Sequence, residues 1–338
     1  MSILASFCRH PNCHETGISL EKKLVSTPRT FCIVIAILLP ILNGNAAVAT
    51  GKGGSSEPVA LKTFLERQGF GGSPLQRRFG NHLFVTTTMN GRRTALMIDT
   101  GCPFTLIDRA SARKIGLGIQ ETKSHIVGVK GKGQRYGVSK LATLAMGNCT
   151  FTNVPVQVAD EGQINLIARP HLDGLFGAHE MAKFGMIVDC ARQMIYVNPK
   201  GPSGATTQKL AQFLGARGFT RIPMRSNPGR HLEIDAALNG HPVRLTVDTG
   251  ASTTLLSAPV ASASGTSLSP RLSRGGEGIG SVQQLALGNL VVNNADVVVA
   301  KVNKFVGAGI LGEEYLSWNF AVVDVGGMNL YLRPPDKR

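Results

Sequence analysis

The sequence predicts an all-β protein built from two tandem copies of one lobe. Three observations predict it: a long internal repeat, the same hairpin signal in each copy, and 40 glycines against only 6% aromatic residues. The glycine content is the loosest of the three, a sign of many tight turns. The repeat is the strongest, because self-similarity at a fixed offset decides the architecture before any single element is considered.

A shift of 149 residues lays 61–101 on 210–250 without a gap, with 15 identities in 41 positions. Leu61, Phe64, Leu65, Gly69, Phe70, Pro74, His82, Asn90, Gly91 and Asp99-Thr100-Gly101 are among them. A shift of 141 then aligns 144–148 with 285–289. A shift of 135 aligns Leu175-Phe176-Gly177 with Ile310-Leu311-Gly312, Asp189 with Asp324 and Tyr196 with Tyr331. The shrinking offset means shorter loops in the second copy. The chain therefore divides into a leader over 1–49, a short segment over 50–60, a first lobe over 61–198, a linker over 199–209 and a second lobe over 210–338.

Each copy reads in the same order. Leu61, Phe64 and Leu65 have the spacing of a short helix face. Then come two β-prone runs around Asn90-Gly91, and two more around Asn239-Gly240. Asn-Gly supplies the positive φ angles of a tight hairpin turn, so each pair of runs is a hairpin. Short strands follow near 141–146, 154–158, 186–189 and 195–197, with counterparts in the second copy. Pro199 to Thr207, rich in Gly, Pro, Ser and Thr, reads as the joint between lobes.

The leader has the layout of an export signal. Lys22, Lys23 and Arg29 precede the 12-residue apolar run Phe31 to Leu42, and Ala47-Val48-Ala49 follows. A membrane span needs roughly 20 residues, so cleavage after Ala49 is the first reading and an inner-membrane anchor over 31–42 the second. Either way the remainder is expected in the periplasm or outside the cell, with a signal peptide over about 22–49. The formal charge of +15 is spread along the chain. It forms no stripe for nucleic acid, and leaves a weak association with anionic membrane surfaces as its one partner implication. Three cysteines lie beyond the leader, namely Cys102, Cys149 and Cys190. Cys149 and Cys190 align with apolar residues of the second copy, so they read either as core thiols or, in an oxidising compartment, as a bridge.

The chemistry converges on two strings, Met97-Ile98-Asp99-Thr100-Gly101 and Thr246-Val247-Asp248-Thr249-Gly250. An apolar strand running into Asp-Thr-Gly puts a carboxylate at the start of a tight turn. One such string means little. Two, at equivalent points of a duplication, point to a paired site. Two carboxylates about 3 Å apart cannot both ionise, so they share a proton. One can then activate water while the other polarises a carbonyl, and no cofactor or metal is needed. His171, His179 and Glu180 lack zinc-peptidase spacing, so no metal ligands are expected.

On these strings, the sequence resembles the clan of aspartic peptidases that includes pepsin and the retroviral proteases, and most closely bacterial retropepsin-like proteins with two fused halves. The resemblance covers 61 to about 335 and includes the later apolar-apolar-Gly elements at 175–177 and 310–312. It implies two acid-protease β-barrel lobes related by a pseudo-twofold axis, a polypeptide substrate, and a monomer that is an intramolecular pseudo-dimer. It implies Asp99 and Asp248 as the catalytic pair, on active-site loops formed by Thr100, Gly101, Cys102, Thr249, Gly250 and Ala251. The two threonines would lock the loops together in a "fireman's grip". It also implies hairpin flaps over 124–139 and 274–281, with Gly128, Val129, Gly131, Gly278 and Ile279 facing substrate and the first flap dominant. One departure stands out: the family usually has Ala or Ser after Asp-Thr-Gly, and the second copy conforms with Ala251-Ser252, but the first has Cys102-Pro103. Cys102 is read as a tolerated small residue, with disturbed loop geometry or oxidation sensing as the other readings.

Overall fold

The computed structural model describes residues 31–33, 60–78, 80–128, 133–160, 172–302 and 306–334. Its secondary structure is mostly strand, 17% helical, in two closed six-stranded barrels. In chain order β1 (Phe31–Ile33) lies in the leader, and the first lobe holds α1 (Leu61–Arg67), β2 (Gly71–Arg78), β3 (His82–Met89), β4 (Arg92–Asp99), β5 (Leu106–Asp108) and α2 (Arg109–Lys114). It continues with β6 (Gln120–Gly128), β7 (Gly133–Met146), β8 (Cys149–Ala159), β9 (Gly174–Gly177), α3 (Ala178–Lys183), β10 (Ile187–Asp189) and β11 (Met194–Val197). The second lobe holds α4 (Gly204–Gly215), β12 (Thr220–Pro223), β13 (Arg225–Ser226), β14 (Leu232–Leu238), β15 (His241–Val247), β16 (Leu255–Ser257) and α5 (Ala258–Ala263). It ends with β17 (Ser267–Arg274), β18 (Glu277–Leu287), β19 (Leu290–Ala300), β20 (Gly309–Leu311), α6 (Glu313–Trp318), β21 (Val322–Asp324) and β22 (Asn329–Leu332).

The first barrel runs β7-β8-β5-β9-β4-β3 and closes through a β3–β7 pairing. The second repeats it as β18-β19-β16-β20-β15-β14, closed by β14–β18. Closure removes sheet edges that would otherwise expose unpaired backbone. The predicted Asn-Gly turns are both present, with φ of +48° and +80° at Asn90 and Gly91 and of +49° and +82° at Asn239 and Gly240. Strand β14 alternates buried and partly exposed residues along its length, the signature of one face on a core.

The lobes are joined by more than a linker. Strands β11, β10, β21, β22 and β12 form a continuous ladder from one lobe into the other. At its centre β10 meets β21 antiparallel with Val188 opposite Val323, residues that the repeat makes equivalent. A residue facing its own counterpart marks a local twofold axis. Phe64 and Phe213, another equivalent pair, stack with ring centroids 4.1 Å apart. They belong to a cluster with Leu61, Leu65, Leu210, Leu214, Tyr196 and Tyr331 under the ladder.

Three expectations change. The stretch 199–209, expected as linker, is already helical from Gly204, because α4 begins there and not at Leu210. Gly and Thr at 204–207 are weak helix formers, and the burial of Leu210 and Leu214 one to three turns later carries the helix through them. The second flap starts earlier than expected, since β17 begins at Ser267 in a Ser- and Arg-rich stretch with no apolar alternation. The bridge reading of Cys149 and Cys190 fails: both are free and buried. Of the export-signal run, only Phe31–Ile33 is described, as a strand parallel to β6. The rest of the leader lies outside the described residues. No helix among the described residues is long and apolar enough to cross a membrane.

Candidate active site

Strand β4 ends on Asp99, and β15 ends at Val247, one residue before Asp248. Beneath each lies the apolar-apolar-Gly strand. β9 runs parallel to β4 and antiparallel to β5, so one short strand plugs between the two arms of the catalytic loop. β20 does the same between β15 and β16. Glycine is required there: a Cβ on Gly177 would sit 2.2 Å from the Phe104 backbone, and one on Gly312 would sit 2.4 Å from that of Thr253. The plug is pinned by Gly177 N–H donating to Thr105 Oγ1 at 3.2 Å and Gly312 N–H donating to Thr254 Oγ1 at 3.1 Å.

The two loops lock across the lobe boundary. Thr100 N–H donates to Thr249 Oγ1 at 3.1 Å, and Thr249 N–H donates to Thr100 Oγ1 at 3.0 Å. Each hydroxyl then donates into the strand of the opposite lobe, Thr100 to Val247 O at 2.7 Å and Thr249 to Ile98 O at 2.8 Å. This is the grip expected from the resemblance. All four groups are buried and paired, so the cost of desolvating them is offset.

The grip brings the carboxylates together. A Cβ on Gly101 would lie 2.3 Å from Asp248 Cγ, and one on Gly250 would lie 2.4 Å from Asp99 Cγ. Each glycine thus forms the floor for the other lobe's acid. Both acids are fully buried. Cys102 N–H donates to Asp99 Oδ1 at 2.9 Å, while Gly250 N–H and Ala251 N–H donate to Asp248 Oδ1 at 2.8 and 3.1 Å. Burial pushes Asp248 up to about 7, against the opposing pull of the Gly250 amide, the Asp99 carboxyl and the Ala251 and Gly101 amides. Burial thus favours a proton on the pair, whose titration belongs to the pair rather than to either member.

Cys102 keeps the loop geometry that Ala251 keeps. Its N–H holds Asp99, its carbonyl accepts from Ala178 N–H at 2.8 Å as that of Ala251 accepts from Glu313 N–H at 2.8 Å, and its thiol donates to Phe104 O at 3.0 Å. Its side chain joins an apolar cluster with Phe84, Leu106, Leu175 and the hairpin residues Ile126 and Tyr136. The residue is accommodated without distortion.

Of the expected flap residues, Gly128 ends β6, and Gly278 and Ile279 lie in β18 opposite Val299 and Val298. Gly278 has φ +142°, open to glycine alone. Val129 and Gly131 fall outside the described residues. The first hairpin is the longer, with β7 spanning 14 residues against 11 in β18. Among the described residues no cluster of His, Cys, Asp or Glu could hold a metal ion.

Two features escaped the sequence. Glu180 Oε2 accepts from Thr105 N–H at 2.7 Å, and Glu314 Oε1 accepts from Thr254 N–H at 2.5 Å. Thr105 and Thr254 do repeat at the 149 offset, which could have flagged them. The glutamates differ by 134 rather than 135, which hid their equivalence. The other is His231: its Nδ1 lies 2.9 Å from Gly101 O in the opposite lobe's catalytic loop.

Comparison with known proteins follows the same division. Residues 85–179 match the model of the family described as aspartyl protease, and residues 234–318 match that of the gag-polyprotein putative aspartyl protease. No curated protein matches the chain significantly. Among solved structures, a retropepsin-like aspartic protease from Rickettsia conorii aligns at 16% identity over 38% of this chain and 89% of its own, with a TM-score of 0.28. Basic 7S globulin from soybean aligns at 9% identity over 78% of this chain and 94% of its own, with a TM-score of 0.47. An aspartyl-protease family model thus matches each half of the chain, the two together spanning a little over half of the residues.

Proposed function

We propose that the chain is an aspartic endopeptidase, hydrolysing peptide bonds in an extended polypeptide held between the lobes. The observation that carries this reading is the cross-lobe pair. Two buried carboxyls each abut the glycine of the other's loop, and burial pushes Asp248 up to about 7. A shared proton lets the ionised member take a proton from a water while the protonated member hydrogen-bonds the scissile carbonyl oxygen. The water oxygen adds to the carbonyl carbon. The carbonyl oxygen takes up the dyad proton to give a gem-diol; the nitrogen then takes the proton drawn from the water, the C–N bond breaks, and one diol hydroxyl returns its proton to the dyad as the carboxylic acid forms. The backbone amides at Cys102, Gly250 and Ala251 stabilise negative charge on the pair throughout.

A non-catalytic binding module is the weaker reading, because the Cys102 loop is undistorted. Export rests on the charge, apolar run and small-x-small pattern of 22–49 alone, and pairing within one chain rests on effective concentration. The test compares wild type with Asp99→Asn and Asp248→Asn on an unfolded protein substrate between pH 3 and 7, with products read by mass spectrometry. Each substitution should lower turnover by about 10²–10⁴-fold while leaving the fold intact. Undiminished cleavage in either variant sinks the shared-dyad mechanism.

A further inference from the structure

Cys102 N–H, which holds Asp99 Oδ1, belongs to the peptide unit whose carbonyl is Gly101 O. The peptide unit is planar and trans, so its two polar ends point in opposite directions and move together. On the far end sits His231, 4% exposed, at the entry to β14 of the other lobe. A carbonyl oxygen only accepts, so the 2.9 Å contact fixes the proton on Nδ1. Burial holds the ring below its ordinary pKa, against the pull of the Gly101 carbonyl and of Glu233.

The histidine is itself held in place. Its N–H donates to Asn227 Oδ1 at 3.1 Å, and Asn227 Nδ2 donates to Glu233 Oε1 at 2.6 Å. Arg230, its neighbour in the same turn, lays its guanidinium 5.2 Å from the ring centroid of Phe104, three residues past Gly101. A Cβ on Gly229 would come within 3.0 Å of the imidazole, so the repeated glycine makes room for the ring. The equivalent His82 is equally buried, and its Nδ1 has no hydrogen-bond partner among the described residues. The brace exists on one side only.

Resting on the peptidase reading, we propose that His231 is a positioning residue: through the Gly101–Cys102 peptide it orients and polarises the amide that holds Asp99, and so makes Asp99 the ionised member of the dyad. Hydrogen bonds in a chain polarise one another. A donor on the Gly101 carbonyl therefore strengthens the Cys102 N–H as a donor to a carboxylate, and a stronger donor favours the charged form of Asp99. The Asp248 loop has amides but no such brace from His82, which leaves Asp248 as the member that keeps the proton.

The experiment compares four variants. His231→Asn puts an amide N–H near the Nδ1 position, His231→Gln puts it one carbon too far, His231→Leu removes it, and His82→Leu is the control for loss of a buried ring. In His231→Leu and His231→Gln, kcat should fall about tenfold with KM unchanged, and the acid limb of the kcat/KM profile should move up by about half a pH unit or more. His231→Asn should restore both, and His82→Leu should leave the acid limb in place. Should His231→Leu fail to fold, His231→Gln still carries the comparison. Equal acid limbs in wild type, His231→Gln and His231→Asn would overturn the proposal. If wild type cleaves nothing, the peptidase reading falls, and carboxyl ¹³C titration of Asp99 in the folded protein decides this one. A midpoint raised in His231→Gln but not in His231→Asn supports it, and an unmoved midpoint overturns it.

Discussion

At the scale of the residue, the site is an arrangement of backbone around two carboxyls. Gly101 and Gly250 are not hinges here, because what their missing side chains supply is space. A methyl group at either would sit 2.3–2.4 Å from the opposing carboxyl carbon, closer than any stable contact. Gly250→Ala should therefore force the lobes apart at the dyad. Activity is expected to fall below detection, and the thermal midpoint to drop as well, since the threonine hydrogen bonds at 3.0 and 3.1 Å share the same loops. A Gly250→Ala protein that cleaves at the wild-type rate would show that the carboxyls do not meet as described.

Elements matter through how they cross the lobe boundary. Arg77, in β2, reaches α6 of the second lobe and donates to Glu313 Oε1 at 3.0 Å and Ser317 Oγ at 2.7 Å, and back to Cys190 O at 2.7 Å. Glu313 is fully buried, and among the described residues Arg77 is the cation that pairs with its carboxylate. The repeat gives Arg77 no partner twin: Glu313 corresponds to Ala178. Above about pH 7, where Glu313 is ionised, removing the arginine would leave its carboxylate buried without a counter-charge, a loss of up to about 3–5 kcal/mol. Arg77→Ala should lower unfolding free energy by that order in urea titration, and Arg77→Ala combined with Glu313→Leu should recover much of it. If the double variant is no better than the single, the loss is one of packing rather than of charge.

For the whole molecule, buried acids and histidines set opposite pH trends. Asp248 and Glu313 are pushed up to about 7 and Asp324 to about 6, all chiefly by burial. Unfolded carboxyls titrate near 4. Their folded forms hold protons more tightly, so they contribute stability that is full at low pH and is lost as pH rises through about 6–7. His82 is pushed down to about 4, so it contributes in the other sense, losing stability as pH falls below about 6.5. Above that value the histidine contributes no further change, and the acids, joined toward pH 8.5 by the buried thiols of Cys149 and Cys190, set the trend. Thermal midpoints should therefore fall between pH 6.5 and 8.5, and Glu313→Gln should flatten that decline. A midpoint that climbs over this range would contradict the burial of these acids.

What the sequence determined by itself was the unit and its duplication. An ungapped match at one offset, an Asn-Gly turn in each copy and Asp-Thr-Gly at each strand end are local signals, set by backbone conformation and strand alternation. They made the two β lobes and the carboxylate pair legible, because a symmetric duplication implies that equivalent residues meet at an axis; the barrels and the threonine grip were implied by the family resemblance of those strings. Val188 opposite Val323 and Phe64 on Phe213 are that axis made visible. Only the tertiary structure decided where the halves differ. The brace from His231 but not from His82, the Arg77 bridge to Glu313 and the early start of α4 depend on contacts between residues more than a hundred positions apart, or on burial that overrides weak helix propensity. Symmetry is written in the repeat. Departures from it are written in packing, where a side chain's role is set by what lies across the lobe boundary.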